Sequence, residues 1–148
     1  GGDEINLNKN PGEKIENFGW AISSYGEHYG GNTHENKKTY EKYPLYKSHK
    51  DYGFIEPLKY YVSVVGVSEI IKIGPNFLSD ETNQILVSSL TGKSIYHYIL
   101  DKDFSILKEN KVSLEERIRD MLYVKKINKV FLFLESSGSI GIMTLMDK

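Results

Sequence analysis

Hydrophobic positions in this chain fall in short bursts rather than long stripes. From residue 60 onward, runs rich in β-branched and aromatic side chains occupy residues 60–67, 69–73, 84–89, 94–100, 118–124, 129–134 and 139–146. Turn chemistry such as Gly74-Pro75-Asn76 and Ser137-Gly138 separates them, so each run reads as a strand. Strand starts recur about every ten residues, the rhythm of an all-β sandwich, barrel or propeller. Val130-Phe131-Leu132-Phe133-Leu134 is apolar at every position, which predicts a strand covered on both faces. Residues 139–146 alternate small and large side chains instead. Ser113 and Glu116 have the spacing of a helix capping box, but residues 118–124 carry no helical stripe, and the strand reading is preferred.

Residues 1–57 have a different texture. Asn8, Pro11-Gly12, Gly30-Gly31-Asn32 and residues 47–51 place turn formers at short intervals. A stretch this long without regular structure is uncommon in a compact domain unless it carries function, so a binding or lid loop is expected here. Trp20, Tyr25, Tyr29, Tyr43, Tyr46 and Phe54 supply enough rings to anchor it.

Composition narrows the function classes. With 148 residues, 39% hydrophobic and 26% charged, the chain is long enough for one domain core. A net charge of −1 gives no basic field for nucleic acid. No apolar run approaches the ~18 residues a membrane helix needs. The absence of Cys excludes disulfides and thiolate chemistry. Eleven Tyr against six Phe give many rings one polar end, which fits sheet faces and loop corners or a groove for a sugar or flat cofactor.

Candidate chemistry concentrates in a few places. Gly1-Gly2-Asp3-Glu4-Ile5-Asn6 puts an acidic pair behind a Gly-Gly turn, and Asn17-Phe18-Gly19-Trp20 is expected to pack a large ring beside it. Carboxylates are hard oxygen ligands, but two are too few for a calcium cage, and an acidic turn is the plain alternative. In Arg117-Ile118-Arg119-Asp120, strand periodicity would put both guanidinium forks on one face and Ile118 on the other. Paired forks suit bidentate contact with carboxylates; taken alone, a solvated edge strand neutralised by Glu115 and Glu116 is the plainer reading, since exposed ion pairs are common. Thr91-Gly92-Lys93-Ser94 is not a phosphate loop, because Val87 stands where its first Gly belongs and a strand follows. His28, His34, His49 and His97 lack zinc spacing, and His97 reads as packed or solvated.

In this order the motifs resemble the glucose/sorbosone dehydrogenase family, the soluble sugar dehydrogenases that use pyrroloquinoline quinone (PQQ). Its GGDEIN…NYGWP stretch is matched except that Phe18 stands for Tyr and Ala21 for Pro; Arg117 to Asp120 match its R-x-R-D motif. The resemblance implies an all-β fold, part of a six-bladed β-propeller. Residues 1–148 would be its C-terminal part, with 1–57 a loop-rich cofactor and calcium region and 58–148 the strands of about two blades. A chain beginning without Met is expected to be a fragment or processed product.

By resemblance, Arg117 and Arg119 hold the carboxylates of PQQ, Tyr29 and Tyr61 line its groove, and Glu135 falls beside it. Lys93 stands two residues beyond the family's cofactor-binding Lys, whose place Thr91 takes. Glu4 and the Phe18 carbonyl match ligands of a structural calcium. The expected function is oxidation of aldose sugars at C1 with PQQ as hydride acceptor. The His base lies upstream, so no catalytic residue is assigned here. Implied partners are a sugar and an unidentified electron acceptor, without nucleic acid or membrane; a homodimer of the full-length enzyme and a periplasmic or secreted location complete the expectation. After Tyr61 the family reads roughly V-P-S-I-A-P-S-G, and this chain keeps little of that wall. The alternatives are a non-catalytic propeller binding carbohydrate or a protein partner, and a small autonomous β-sandwich.

Overall fold

The computed structural model describes residues 2–28, 37–79, 81 and 83–144. Two compact units divide the chain, Gly1–Val64 and Val65–Lys148. The first contains β1 (Asp3–Ile5) and β2 (Lys59–Tyr61), an antiparallel pair with Asp3 opposite Tyr61 and Glu4 opposite Tyr60. This pairing ties residues 59–61 to the start of the chain.

Between β1 and β2 lie loops, a 3-10 turn at Lys50–Tyr52 and the short helix α1 (Lys37–Lys42), which the turn-rich sequence did not announce. Irregular backbone must find its hydrogen bonds across loops rather than along ladders. Here Ser24 N–H donates to the Tyr46 carbonyl at 2.9 Å, Tyr46 N–H to Ile22 at 3.2 Å and Ile55 N–H to Asn17 at 3.0 Å. Stacked rings reinforce these ties: Tyr25 on Tyr60 at 4.0 Å and Tyr46 on Tyr52 at 4.2 Å.

The second unit is built of antiparallel meanders. Strands β3 (Val67–Ile73), β4 (Gln84–Ser89), β5 (Ser94–Leu100) and β6 (Ile106–Ser113) form a four-stranded sheet in chain order. β7 (Ile118–Val124), β8 (Lys129–Leu134) and β9 (Ser139–Met143) form a three-stranded one. The core joins the two sheets: Ile73, Phe77, Leu86 and Ile95 meet Ile118, Met121, Val130 and Leu132. A four-stranded meander packed on a second, here three-stranded, meander is propeller blade architecture.

The bounds of β4, β5, β7 and β8 are those the sequence pattern predicts. Three readings need correction. The expected strand 60–67 is broken, because Gly66 adopts φ +63° and the carbonyls of Val65 and Gly66 turn to accept the N–H groups of Gly92 and Leu90. β6 was not anticipated. It is an edge strand whose middle, Lys108-Glu109-Asn110-Lys111, gives no apolar alternation, since it pairs only with β5. β8 is covered on one face only: Val130 and Leu132 are buried, while Phe133 is 40% exposed. On that outer face Phe131 lies between Leu122 and Ile142, and Phe133 opposite Ile140.

β5 is buried at every position although it carries His97. The ring is accommodated by a closed polar chain. His97 Nε2 donates to Gln84 Oε1 at 2.8 Å, and Gln84 Nε2 donates to the carbonyls of Ser79 and Glu81 at 3.0 and 2.6 Å. Asn110 Nδ2 donates to His97 Nδ1 at 3.3 Å, which fixes a neutral imidazole. Burial first, then the Lys108 charge, lowers the His97 pKa.

Two outcomes follow from this packing. The folded pKa of His97 lies below the unfolded value of about 6.5, so its contribution is complete above that pH and is lost as pH falls towards the folded pKa. Urea unfolding measured from about pH 7 down to about pH 5 should therefore show falling stability, with His97→Gln flattening the slope; an undiminished slope in the variant would show that other groups carry it. Contiguous exposed apolar surface drives association. This chain by itself should accordingly self-associate, and the double substitution Phe133→Lys, Ile140→Lys should shift it to monomer in light scattering.

Candidate functional site

The arginine pair is set by a bulge. Ile118 faces Leu134 across the β7–β8 ladder and Asp120 faces Phe133, so Arg119 is an extra residue with no partner of its own in the register. A bulge reverses the in–out parity of a strand. Ile118 is fully buried, Arg119 and Asp120 both face outward, and Met121 returns to the core. Arg117 sits one residue before the strand, its carbonyl accepting Glu135 N–H at 2.8 Å.

Both guanidinium groups converge on one carboxylate. Arg117 Nε lies 3.2 Å from Glu135 Oε1, and Arg119 Nη2 pairs with Glu135 Oε2. The three side chains are 38%, 58% and 34% exposed, so solvent screens the pairs to ~0–1 kcal/mol each. Their value is orientation rather than stability.

The surrounding turn is pinned. Glu116 Oε1 accepts the N–H groups of Ser136 and Ser137 at 2.7 and 3.2 Å. Partial desolvation alone would raise the Glu116 pKa, but the hydrogen bonds from Ser136 and Ser137, with the Lys93 charge, lower it. Lys93 adopts a left-handed φ of +46°, and its carbonyl accepts Leu114 N–H at 3.0 Å. Lys93, Arg117, Arg119 and Glu135 thus share one end of the second unit, with Lys93 acting on Glu116 rather than on the arginines.

Glu4 belongs to the first unit. Its Oε1 accepts from Tyr25 N–H at 3.1 Å, Ser24 Oγ at 3.3 Å and His49 Nε2 at 3.3 Å. His49 Nδ1 meets Ser23 Oγ at 3.0 Å, and both residues are fully buried. An ionised carboxylate can only accept, so Nε2 carries a proton towards Glu4, while the Ser23 hydroxyl can pair with Nδ1 as donor or acceptor. Sequence reasoning missed this chain, because His49 lies in a polar turn where no spacing marks it.

The Phe18-Gly19-Trp20 turn packs against the Ser23–His49 pair, but not through its indole. Trp20 is 73% exposed, contrary to the expected ring contact. Gly19, at φ +90°, makes the close approach: a Cβ there would lie 2.1 Å from Ser23 Oγ and 2.7 Å from His49 Nδ1. Phe18 is partly buried in the same turn. Tyr61 is buried beside β1, with the Lys59 ammonium 5.9 Å from its ring centre. Tyr29 lies outside the described residues. Tyr25 donates to Glu56 Oε2 at 2.8 Å, and that bond, with burial, pushes its pKa up to about 12.

The donor sets decide which groups fit. A carboxylate-bearing cofactor fits the arginine forks, which already align on a carboxylate. Calcium takes six to eight oxygen ligands. Glu4 instead meets hydrogen-bond donors on Oε1, and among the described residues no three His, Asp or Glu gather as a metal site. The Phe18 carbonyl, the other expected ligand, has no shown contact with Glu4, and no role for the ion is derived.

Antiparallel blade-like sheets, with Arg117 and Arg119 paired to the internal carboxylate of Glu135, define a β-propeller type of protein. The chain belongs to the glucose/sorbosone dehydrogenase family, which its residues 1–141 match. Uncharacterized protein slr1608 of Synechocystis is 23% identical over 121 residues, covering 82% of this chain and 26% of that protein. Among solved structures, a glucose dehydrogenase superposes with TM-score 0.70 at 20% identity over 99% of this chain. The soluble aldose sugar dehydrogenase of Escherichia coli, in apo-form, gives 0.69 at 17% identity over 98%. The chain spans 39% of each of those two structures. Its fold is therefore part of the sugar dehydrogenase β-propeller.

The Gly19 approach can be tested against an internal control. Gly12 has φ +88° with nothing within 4 Å of a built Cβ, so Gly12→Ala should cost only backbone strain, about 1 kcal/mol. Gly19→Ala adds overlap with Ser23 and His49 and should cost more than about 2 kcal/mol in denaturant unfolding. Equal costs would remove the packing role.

Proposed function

We propose that this chain supplies the cofactor-anchoring part of a sugar dehydrogenase that oxidises aldoses at C1 with PQQ as hydride acceptor. The observation that carries the reading is the convergence of Arg117 and Arg119 on one carboxylate, in a chain of the glucose/sorbosone dehydrogenase family. PQQ is a tricarboxylate, and when bound it supplies the electron-pair acceptor that side chains lack. The share of this chain is positional and electrostatic. Arg117 and Arg119 bind cofactor carboxylates through charge-assisted bonds and fix the plane of the ring system. Lys93, at the same end of the unit, offsets the negative charge of Glu116, whose ionised form it favours. Tyr61 and Tyr29 are proposed to shape the groove.

The reading assigns no proton-transfer group to this chain; a His elsewhere in the polypeptide would take the sugar hydroxyl proton. The sugar and an electron acceptor of unassigned chemistry are the partners, and a homodimer acting in the periplasm or after secretion fits the family resemblance. Among the described residues no helix is long and apolar enough to cross a membrane.

The test is quinone titration of the protein that contains this chain. Arg119→Ala removes one charge-assisted fork and should weaken PQQ binding on the order of tenfold to a hundredfold, with sugar-dependent dye reduction restored by excess PQQ. An unchanged titration would count against the assignment. A wild-type protein that binds sugar but no PQQ would favour a non-redox carbohydrate-binding propeller.

A further inference from the structure

Resting on the quinone reading, we propose that Glu135 is a built-in competitor for the cofactor, a side-chain latch that a polycarboxylate must displace. Its two carboxylate oxygens are divided between the forks, Oε1 to Arg117 and Oε2 to Arg119, so one internal anion uses the contacts a ligand carboxylate would need. The backbone beneath it is fixed. Glu135 N–H is held by the Arg117 carbonyl at 2.8 Å, and the next two N–H groups by Glu116 Oε1. The side chain is 34% exposed and can swing into water without moving β8.

This combination sets a threshold. Two cations held side by side repel, and Glu135 keeps them apposed when no ligand is bound. A monocarboxylate that entered would exchange one carboxylate for another and gain little. A ligand with two or three carboxylates on one rigid frame makes more charge-assisted bonds than Glu135 can, and displaces it. Glu135 thereby selects for polycarboxylates and lowers the affinity for all anions. It is a positioning residue that makes no contact with the reacting atoms.

A purely structural role and a competitive role predict opposite signs. PQQ binding is measured by quenching of intrinsic fluorescence, without turnover, in the full-length wild-type protein, Glu135→Gln and Glu135→Asp. Glu135→Gln keeps the shape and removes the charge, and is expected to bind PQQ about tenfold tighter. Glu135→Asp keeps the charge but loses reach to the forks, and should move in the same direction by less; it carries the test if the glutamine variant does not fold. Unchanged or weaker binding by both variants overturns the latch while leaving the quinone site standing. If wild type and both variants all fail to bind PQQ, the proposed function itself falls, and the latch with it.

Discussion

One extra residue in β7 lets a single strand serve both the core and the site. The strand must place Ile118 and Met121 into the apolar layer between two sheets, three positions apart, which strict alternation forbids. The bulge at Arg119 absorbs the odd residue and leaves Arg119 and Asp120 on the outer face. Without it, either Met121 would turn to water or Arg119 would turn inward with an unpaired charge. The geometry of the arginine pair is therefore a by-product of core packing, and the site inherits the rigidity of the sheet.

The first unit reaches order by another route. It has few buried apolar side chains, Ile5, Leu45 and Tyr61 among them, and little regular structure. Carboxylates take the place of ladders as collectors of N–H groups. Glu4 gathers Tyr25, Ser24 and His49, while Glu56 gathers Lys50 N–H at 2.8 Å and the Tyr25 hydroxyl. Each such acceptor closes contacts far apart in sequence, which is how loops without strands hold a fixed shape.

Legibility in the sequence followed the same division. β4, β5, β7 and β8 could be bounded from pattern alone, because each is a short run rich in β-branched and aromatic residues between clear turn signals. The edge strand β6 left no period, since its middle residues face solvent. The break at Gly66 was invisible, because it depends on two carbonyls finding N–H donors in the turn after β4. The arginine pair was legible as a motif, yet strand periodicity alone gives no hint that a bulge sets its outward face. The His49–Glu4–Ser23 chain left no trace, as its members are separated by loops whose course no spacing encodes. The exposure of Trp20 has the same origin: a turn motif tells that the chain reverses, not which side packs.

Burial separates the two carboxylates that matter most. Glu4 is 14% exposed and held through one oxygen by three donors, the Tyr25 N–H, the Ser24 hydroxyl and the buried His49 ring. Removing it would strand a buried imidazole and a backbone N–H, so it is committed to the fold. Glu135 is 34% exposed and held by two cations that water also solvates. Its departure strands nothing, because the guanidinium groups are themselves open to solvent or to another anion. The same functional group is structural where its partners cannot reach water and exchangeable where they can. That difference leaves the Arg117–Arg119–Glu135 cluster open to solvent beside β7, and commits Glu4 to holding the loops around it.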